Sequence, residues 1–235
     1  IGNRSSVLMY SANAVMDGNS ITRNIIDNRT SVSSSNVCNG IMADGPYGHT
    51  HLEITHNTVL GTATACGGTS NSDGINLIRL KSGLIAWNDI TRSEGGIDMD
   101  GTFEDVQVYG NWAHNNRVDG LKAFGGYSCP IGPLVVSQNL FVNNGNWGAI
   151  WQNQRNSLFA DNTIIQFRDT PQSGSAPYGG LQTEDPTLFT GATCPSASNA
   201  FLGNIITANW QYGVVTHYSQ TRAEFDAGHV WQGNL

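Results

Sequence analysis

Three short acidic segments contain the residues of this chain whose types and spacing suggest chemistry. They read NSDGINL, SEGGIDMDG and VDGLKAFGG, and they hold one lysine, Lys122. Their carboxylates are Asp73, Glu94, Asp98, Asp100 and Asp119. Grouped carboxylates are ligands that calcium prefers, and a lysine held neutral can remove a proton from a substrate. Either chemistry requires the three segments to lie side by side, so the elements that position them come next.

An internal repeat predicts how the segments are arranged. Seven stretches share an apolar residue, two variable residues and an asparagine, as in ITHNTV and IAWNDI, and the final VWQGNL adds an eighth. The repeated asparagines are Asn24, Asn57, Asn88, Asn111, Asn139, Asn162, Asn204 and Asn234. The shortest interval between them is 23 residues, from 88 to 111 and from 139 to 162, which is close to one turn of a three-sided β-solenoid. Longer intervals predict the same turn with an inserted loop.

A second column, made of glycines, accompanies the asparagine column. Its members are Gly40, Gly74, Gly96, Gly120, Gly148, Gly180 and Gly213, each followed by an apolar residue. The two registered columns, with no helical periodicity between them, predict an all-β fold. We expect a single right-handed parallel β-helix domain over residues 1–235, with about eight coils. The asparagines should form an internal ladder of amide hydrogen bonds, which is a structural role.

Strand alternation predicts which side chains of the acidic segments meet. Successive residues of a strand point to opposite faces, so the residue two positions after each column glycine should point outward. This places Asn76, Asp98 and Lys122 on successive coils, about 4.8 Å apart. One interpretation is a solvated ion pair worth less than about 1 kcal/mol. The other is a cation site beside a lysine base.

The three segments resemble the active-site coils of family 9 polysaccharide lyases, which are pectate-lyase-like β-helix enzymes. In that family an Asp-Gly-aromatic segment is followed by Asp-Asp-Gly-aromatic-Asp and then by Gly-Phe-Lys-Leu-Gly-Gly. Asp73 matches the first segment, Asp98 the second and Lys122 the third, over roughly residues 66–145. The resemblance implies that the aspartates bind calcium and that Lys122 is the base for β-elimination of an acidic, uronate-containing polysaccharide.

The middle segment departs from the lyase pattern. Glu94 and Gly95 stand where the family has paired aspartates, so one carboxylate is changed and one is missing. Asp100 or Asp119 could replace the missing ligand.

Lys122 needs a cation nearby if it is to act as a base. Free lysine has a pKa of about 10.4, and a neighbouring carboxylate raises it further. Bound calcium would reverse the local charge and hold the substrate carboxylate. Further substrate carboxylates would pair with basic residues near the same coils, although each of these residues is also explained as a surface charge. They are Arg79, Lys81, Arg92 and Arg117.

Histidines and tryptophans add weaker candidates. The stretch GHTH predicts His49 and His51 on one face with His56 near, as a transition-metal site or, with more weight, as a loop or sugar-stacking element. Several tryptophans are either sugar platforms or core residues. They are Trp112, Trp147, Trp151, Trp210 and Trp231.

Composition bounds the partners and the compartment. The net charge of −7 argues against a nucleic acid, and no stretch approaches the roughly 18 apolar residues of a membrane span. Four cysteines without a C-x-x-C pair indicate a secreted, oxidised protein rather than a zinc site, with buried free thiols as the alternative. Of three possible connectivities we favour the pairs 38–66 and 129–194. The four are Cys38, Cys66, Cys129 and Cys194.

Three classes of function remain open. The first is the extracellular lyase. The second is a non-catalytic β-helix of a fibre, adhesin or tailspike, which binds glycan or only supports an assembly. The third is a uronate epimerase or a glycoside hydrolase. The hydrolase would need two carboxyls placed across the scissile bond. No polar cap is visible at either end of the solenoid, so we expect self-association or a flanking domain there.

Overall fold

The computed structural model describes residues 5–28, 38–61, 72–101, 103–125, 133–166, 179–184, 196–208, 212–217 and 228–235. Their regular elements are β-strands. In chain order these are β1 (Ser5–Tyr10), β2 (Met16–Asp17), β3 (Ser20–Thr22), β4 (Ile25–Asp27), β5 (Asn39–Asp44), β6 (His49–Thr50), β7 (Leu52–Thr55), β8 (Thr58–Leu60), β9 (Ile75–Ile78), β10 (Ser82–Ala86), β11 (Asp89–Thr91), β12 (Ile97–Asp100), β13 (Asp105–Tyr109), β14 (Trp112–His114), β15 (Asp119–Phe124), β16 (Leu134–Ser137), β17 (Leu140–Val142), β18 (Trp147–Gln152), β19 (Leu158–Ala160), β20 (Thr163–Gln166), β21 (Gly179–Glu184), β22 (Ala200–Leu202), β23 (Ile205–Ala208), β24 (Tyr212–His217) and β25 (Val230–Gln232).

The strands stack into three parallel sheets, and a typical coil contributes one strand to each. The first sheet has the order β1-β5-β9-β12-β15-β18-β21-β24, the second β3-β7-β10-β13-β16-β19-β22-β25, and the third β4-β8-β11-β14-β17-β20-β23. The short strands β2 and β6 form a separate parallel pair. The sheets have eight, eight and seven strands, so the predicted all-β parallel β-helix of about eight coils is confirmed. No helix in the described part of the chain is long and apolar enough to cross a membrane.

One apolar core runs along the inside of the solenoid. The inward residues of the first sheet form one of its columns, and each is buried only because the coils on both sides cover it. They are Ile41, Ile75, Ile97, Leu121, Ala149 and Leu181. These are the residues that directly follow the column glycines, so the predicted inward direction is confirmed.

The asparagine ladder is unbroken from Asn24 to Asn234. At its centre, Asn111 donates from Nδ2 to Oδ1 of Asn139 at 2.9 Å and to the backbone carbonyl of Ile85 at 2.8 Å. Oδ1 of Asn111 accepts the backbone N–H of Asn88 at 3.0 Å. The ladder therefore satisfies the buried polar groups where the second sheet turns into the third, and the predicted structural role holds.

A second polar ladder lies at the turn from the third sheet into the first. Backbone N–H groups of Ser93, Asn116 and Asn144 donate to the side-chain oxygens of Asn116, Asn144 and Gln166, respectively. This ladder fixes the turns that lead into the acidic segments, because Ser93 directly precedes Glu94.

The glycine column is required by the close approach of successive coils. A Cβ atom on Gly96 would lie 2.3 Å from the carbonyl oxygen of Gly120, and one on Gly120 would lie 2.5 Å from that of Gly148. Since no side chain fits there, the glycines fix the register between successive coils. In that register Asp98 lies opposite Lys122 and Asn76.

The predicted disulfide pairs 38–66 and 129–194 stay predictions. Cys38 is buried immediately before β5. Cys66, Cys129 and Cys194 fall outside the described residues.

Candidate functional site

Lys122 lies against two carboxylates on the outer face of the first sheet. Its Nζ is 3.1 Å from Oδ1 of Asp98 and 3.2 Å from Oδ1 of Asp100. The two aspartates lie two residues apart on β12, so they share the face that Lys122 of β15 covers. The predicted neighbourhood of Lys122 and Asp98 is confirmed.

A cleft of about 160 Å³ opens beside this ion pair. It brings together Lys122 and four of the five carboxylates proposed as metal ligands, while the fifth, Asp100, reaches Lys122 without lining the cleft. The lining residues are Asp73, Glu94, Gly95, Ile97, Asp98, Val118, Asp119 and Lys122.

Three of these carboxylates are buried. The exposed fractions of Asp73, Asp98 and Asp119 are 4%, 8% and 5%. The interpretation of the face as a solvated one is therefore wrong for them, because they are almost inaccessible to solvent. Their burial matters chemically, since desolvation disfavours the charged form of a carboxyl.

Asp73 is held by two hydrogen bonds within the cleft. Its Oδ1 accepts the backbone N–H of Gly95 at 2.9 Å, and its Oδ2 accepts Nδ2 of Asn76 at 3.1 Å. Burial raises the pKa of Asp73 above its usual range despite these bonds. A Cβ atom on Gly95 would lie 2.6 Å from Oδ1 of Asp73. The glycine at which the sequence departs from the lyase pattern therefore makes room for this carboxylate.

The protonation states of Asp98 and Lys122 are linked. Burial, helped by the negative charges of Asp73 and Asp100, raises the pKa of Asp98 to about 8 although Lys122 opposes the shift. Burial alone would lower the pKa of Lys122, but the charges and hydrogen bonds of Asp98 and Asp100 outweigh it and raise the pKa. Lys122 is therefore an ammonium ion at neutral pH and accepts no proton while these partners hold it.

The arginines proposed to bind substrate have other positions. Arg117 forms an ion pair with Glu94, and Arg79 donates from Nη1 to the carbonyl of Gly45 at 3.1 Å. Arg79 and Arg92 have φ values of 60° directly after β9 and β11, so strand alternation does not set the direction of their side chains. Neither of them lines the cleft, and their substrate role stays a prediction. Nζ of Lys81 lies 3.9 Å from Oε1 of Glu104, and Lys81 does not line the cleft.

The donor atoms in the cleft match calcium in kind. They are carboxylate oxygens, which calcium binds. Beside the cleft, Oδ1 of Asn76 is a buried amide oxygen that has no hydrogen-bond partner among the described residues. Asn76 lies in register beside Asp98. Within the described residues, however, no three His, Cys, Asp or Glu side chains are grouped closely enough to hold a metal ion. Calcium and its proposed ligands therefore stay predictions. The proposed ligands are Asp73, Glu94, Asp98, Asp100 and Asp119.

The histidines do not form the predicted arrangement. His49 is buried and its Nε2 lies 2.9 Å from the carbonyl oxygen of Asp44. His51 is exposed, with Nδ1 2.7 Å from Oδ1 of Asp17. The prediction that both share one face is wrong, because His51 has a φ of 49° just after β6, which breaks the strand alternation. His56 packs its ring against Trp87 instead.

Most of the proposed tryptophan platforms belong to the core. Trp147 and Trp151 are buried, and Trp231 stacks on Phe201 with ring centroids 4.2 Å apart. Trp112 is about half exposed and stacks on its strand neighbour His114, while Trp210 lies outside the described residues. Sequence reasoning missed the exposed Trp87. The available signal was its place directly before a ladder asparagine, where other coils carry Gly110 and Gly203.

Comparison with known proteins supports the architecture. No curated protein and no solved structure gave a match. Residues 2–164 match a family model described as the right-handed β-helix region. Because this match spans more than half of the chain and agrees with the three stacked parallel sheets, the chain belongs to the right-handed β-helix family.

Proposed function

We propose that the chain is a secreted polysaccharide lyase that cleaves an acidic, uronate-containing glycan by β-elimination. The supporting observation is that Lys122 shares one cleft with Asp73, Glu94, Asp98 and Asp119. A lysine beside carboxylates that could hold a cation is the combination that this reaction uses, because a cation would offset the carboxylates and attract the negatively charged substrate group.

In the proposed reaction Lys122 removes the proton α to the uronate carboxylate. The electrons of the C5–H bond form the C4–C5 double bond, and the C4–O bond breaks as the 4-O-linked sugar leaves. Calcium, if held by the carboxylates of the cleft, would supply positive charge that neutralises them and acidifies the C5 proton.

The residues of the chain position the base and set its proton state. Asp98 and Asp100 both contact Nζ of Lys122, which fixes where the amine points. The same contacts raise its pKa, so Lys122 must lose the influence of Asp98 before it can act. Turnover by this route therefore depends on a cation that draws the Asp98 carboxylate away.

A glycoside hydrolase is the second candidate, and one observation favours it. The pKa of Asp98 is raised to about 8, which is the direction that a general acid requires. Asp73, Glu94 or Asp119 in the same cleft would supply the second carboxyl. Hydrolysis leaves no double bond in the product.

The product separates these functions. Pectate, alginate and glycosaminoglycans are incubated with the protein in calcium and, separately, in a chelator, and near-ultraviolet absorbance is followed. The lyase predicts an absorbing unsaturated product that needs calcium. Lys122→Ala should reduce its formation about 10²–10⁴-fold, the usual loss for a missing base. Lys81→Ala, a lysine outside the cleft, should leave it unchanged.

Two results would overturn the lyase. New reducing ends without absorbance would identify a hydrolase, and glycan binding without any product would identify a binding module. Equal activity of the Lys122→Ala and unsubstituted proteins would remove Lys122 as the base.

A further inference from the structure

An aromatic cluster lies at the edge where the second sheet turns into the third. It consists of His56, Trp87 and Tyr109, from the ends of β7, β10 and β13 on three successive coils, and is called the Trp87 platform below. The Trp87 ring centroid is 4.9 Å from that of His56 at an interplanar angle of 31°, and 5.5 Å from that of Tyr109 at 87°. Trp87 is nevertheless 48% exposed. Its neighbours therefore fix the indole while much of its surface stays open.

The turn at Trp87 does not require an aromatic residue. Its φ is 54°, in the left-handed region, and the residue before each ladder asparagine has the same conformation. These equivalent residues include Arg23, His56, Gly110, Gln138, Asp161 and Gly203. The turn therefore forms with very different side chains, and the exposed indole of Trp87 has no part in building it.

The next coil is shaped to receive the indole. A Cβ atom on Gly110 would lie 3.0 Å from both Cδ1 and Nε1 of Trp87. Trp87 therefore packs closely on the backbone at Gly110, and a side chain at that position would press the ring out of place. The orientation of the exposed indole is set before any ligand arrives, which lowers the entropy cost of binding.

Hydrogen-bonding groups flank the platform along the solenoid axis. The Tyr109 hydroxyl donates to Oε1 of Gln138 at 2.9 Å. On the other side lies Arg23, which is exposed, precedes His56 in the same column of left-handed turn residues, and forms no ion pair with any residue that the structure describes. Along the edge the order is thus a cation, two aromatic rings, a phenol and an amide.

We propose that this edge binds a strand of acidic polysaccharide, with a sugar ring stacked on Trp87 and a sugar carboxylate paired with Arg23. Sugars present C–H faces that stack on aromatic rings and hydroxyls that bond to phenol and amide groups, and Arg pairs with carboxylates. The site lies away from the cleft on the first sheet. It does not depend on the proposed reaction and stands whether the cleft is a lyase, a hydrolase or inactive.

The test is affinity electrophoresis of the full chain in gels that contain pectate or the neutral polymer hydroxyethyl cellulose. Trp87→Ala should weaken binding to pectate about tenfold, as expected for the loss of one aromatic stacking contact. Trp87→Phe should keep most of the binding because the ring face remains. Tyr47→Ala removes an aromatic residue of 50% exposure in the turn after β5, and we expect it to bind like the unsubstituted protein.

Two further measurements separate the platform from the cleft. Lys122→Ala should leave the Trp87-dependent part of the retention unchanged, and pectate should change the tryptophan fluorescence of the unsubstituted protein but not of Trp87→Phe. Arg23→Gln should weaken binding to pectate. The proposal is overturned if Trp87→Ala, folded by circular dichroism, binds pectate as the unsubstituted protein does, or if the neutral polymer retards the protein equally.

Discussion

Replacing Asp98 by asparagine tests whether the cleft holds a protonated carboxyl at neutral pH. The pKa of Asp98 is about 8 in the folded protein, against an ordinary value of 3.8 for an aspartate in the unfolded chain. Below pH 3.8 the carboxyl is protonated in both states and contributes no pH dependence. Between the two values only the unfolded chain releases the proton, so stability is lost as pH rises, and above pH 8 the loss is complete.

The size of the effect follows from the difference in pKa. Each pKa unit is worth about 1.4 kcal/mol, so a shift of roughly 4 units sets an upper limit of about 6 kcal/mol. The charges of Asp73 and Lys122 also set the pKa of Asp98, so part of this energy belongs to those two residues. We therefore expect Asp98→Asn to raise the free energy of unfolding at pH 8.5 by about half of the limit, roughly 2–3 kcal/mol. At pH 4 an amide and a protonated carboxyl are equivalent, and the two proteins should be equally stable.

The measurement is the free energy of unfolding in urea at pH values from 4 to 9. The stability of the unsubstituted protein should fall with pH more steeply than that of Asp98→Asn. Asp105→Asn, which neutralises an exposed carboxylate on β13, serves as the control and should run parallel to the unsubstituted protein. If Asp98→Asn also runs parallel, Asp98 is ionised in the folded state and the argument for a general acid fails with it.

Three further outcomes are expected from the same structure. Gly95→Ala should lower the free energy of unfolding by about 1–3 kcal/mol, because its Cβ displaces the Asp73 carboxylate; an unchanged melting temperature would contradict this. Asn111→Ala should lower the free energy of unfolding by several kcal/mol, since hydrogen bonds to both neighbouring coils are lost. Asn234→Ala, at the partly exposed end of the ladder, should lower it by only about 1 kcal/mol. Equal losses in urea unfolding would argue against the ladder. Calcium should raise the melting temperature more at pH 8.5 than at pH 6, because protons compete for Asp98; a shift that does not depend on pH would show that this carboxyl is not a ligand.

The fold was predictable because its causes recur along the sequence. The side chains of Asn88, Asn111 and Asn139 each bond the buried backbone groups of the same turn, and the spacing of these asparagines is visible in the sequence. The register of Asp98 and Lys122 followed from the glycine column, because the contact between Gly96 and Gly120 is as local and repetitive as the ladder. Features that every coil needs leave a periodic signal.

The chemistry of the site was less predictable because burial is not periodic. Strand alternation indicated that Asp98 points outward, but it carried no information on whether an outward side chain is exposed to solvent or buried. The left-handed backbone at His51 and Trp87 was also missed, since neither is a glycine. The ladder of Asn116, Asn144 and Gln166 escaped detection because its residue type changes along the stack, although each side-chain oxygen accepts a backbone N–H of the preceding coil.

The departure at Gly95 and the ion pair of Lys122 are parts of one electrostatic balance. A side chain at Gly95 would collide with Asp73 where it now lies, so in this geometry Asp73 takes the space that a second aspartate of the lyase pattern would need. Because one carboxylate fewer faces the cleft, less positive charge is needed to offset the carboxylates that keep Lys122 protonated. The remaining carboxylates still raise its pKa. A base at Lys122 therefore requires that Asp98 change partner, and the carboxyl that controls the lysine is also the one whose own pKa lies near neutrality.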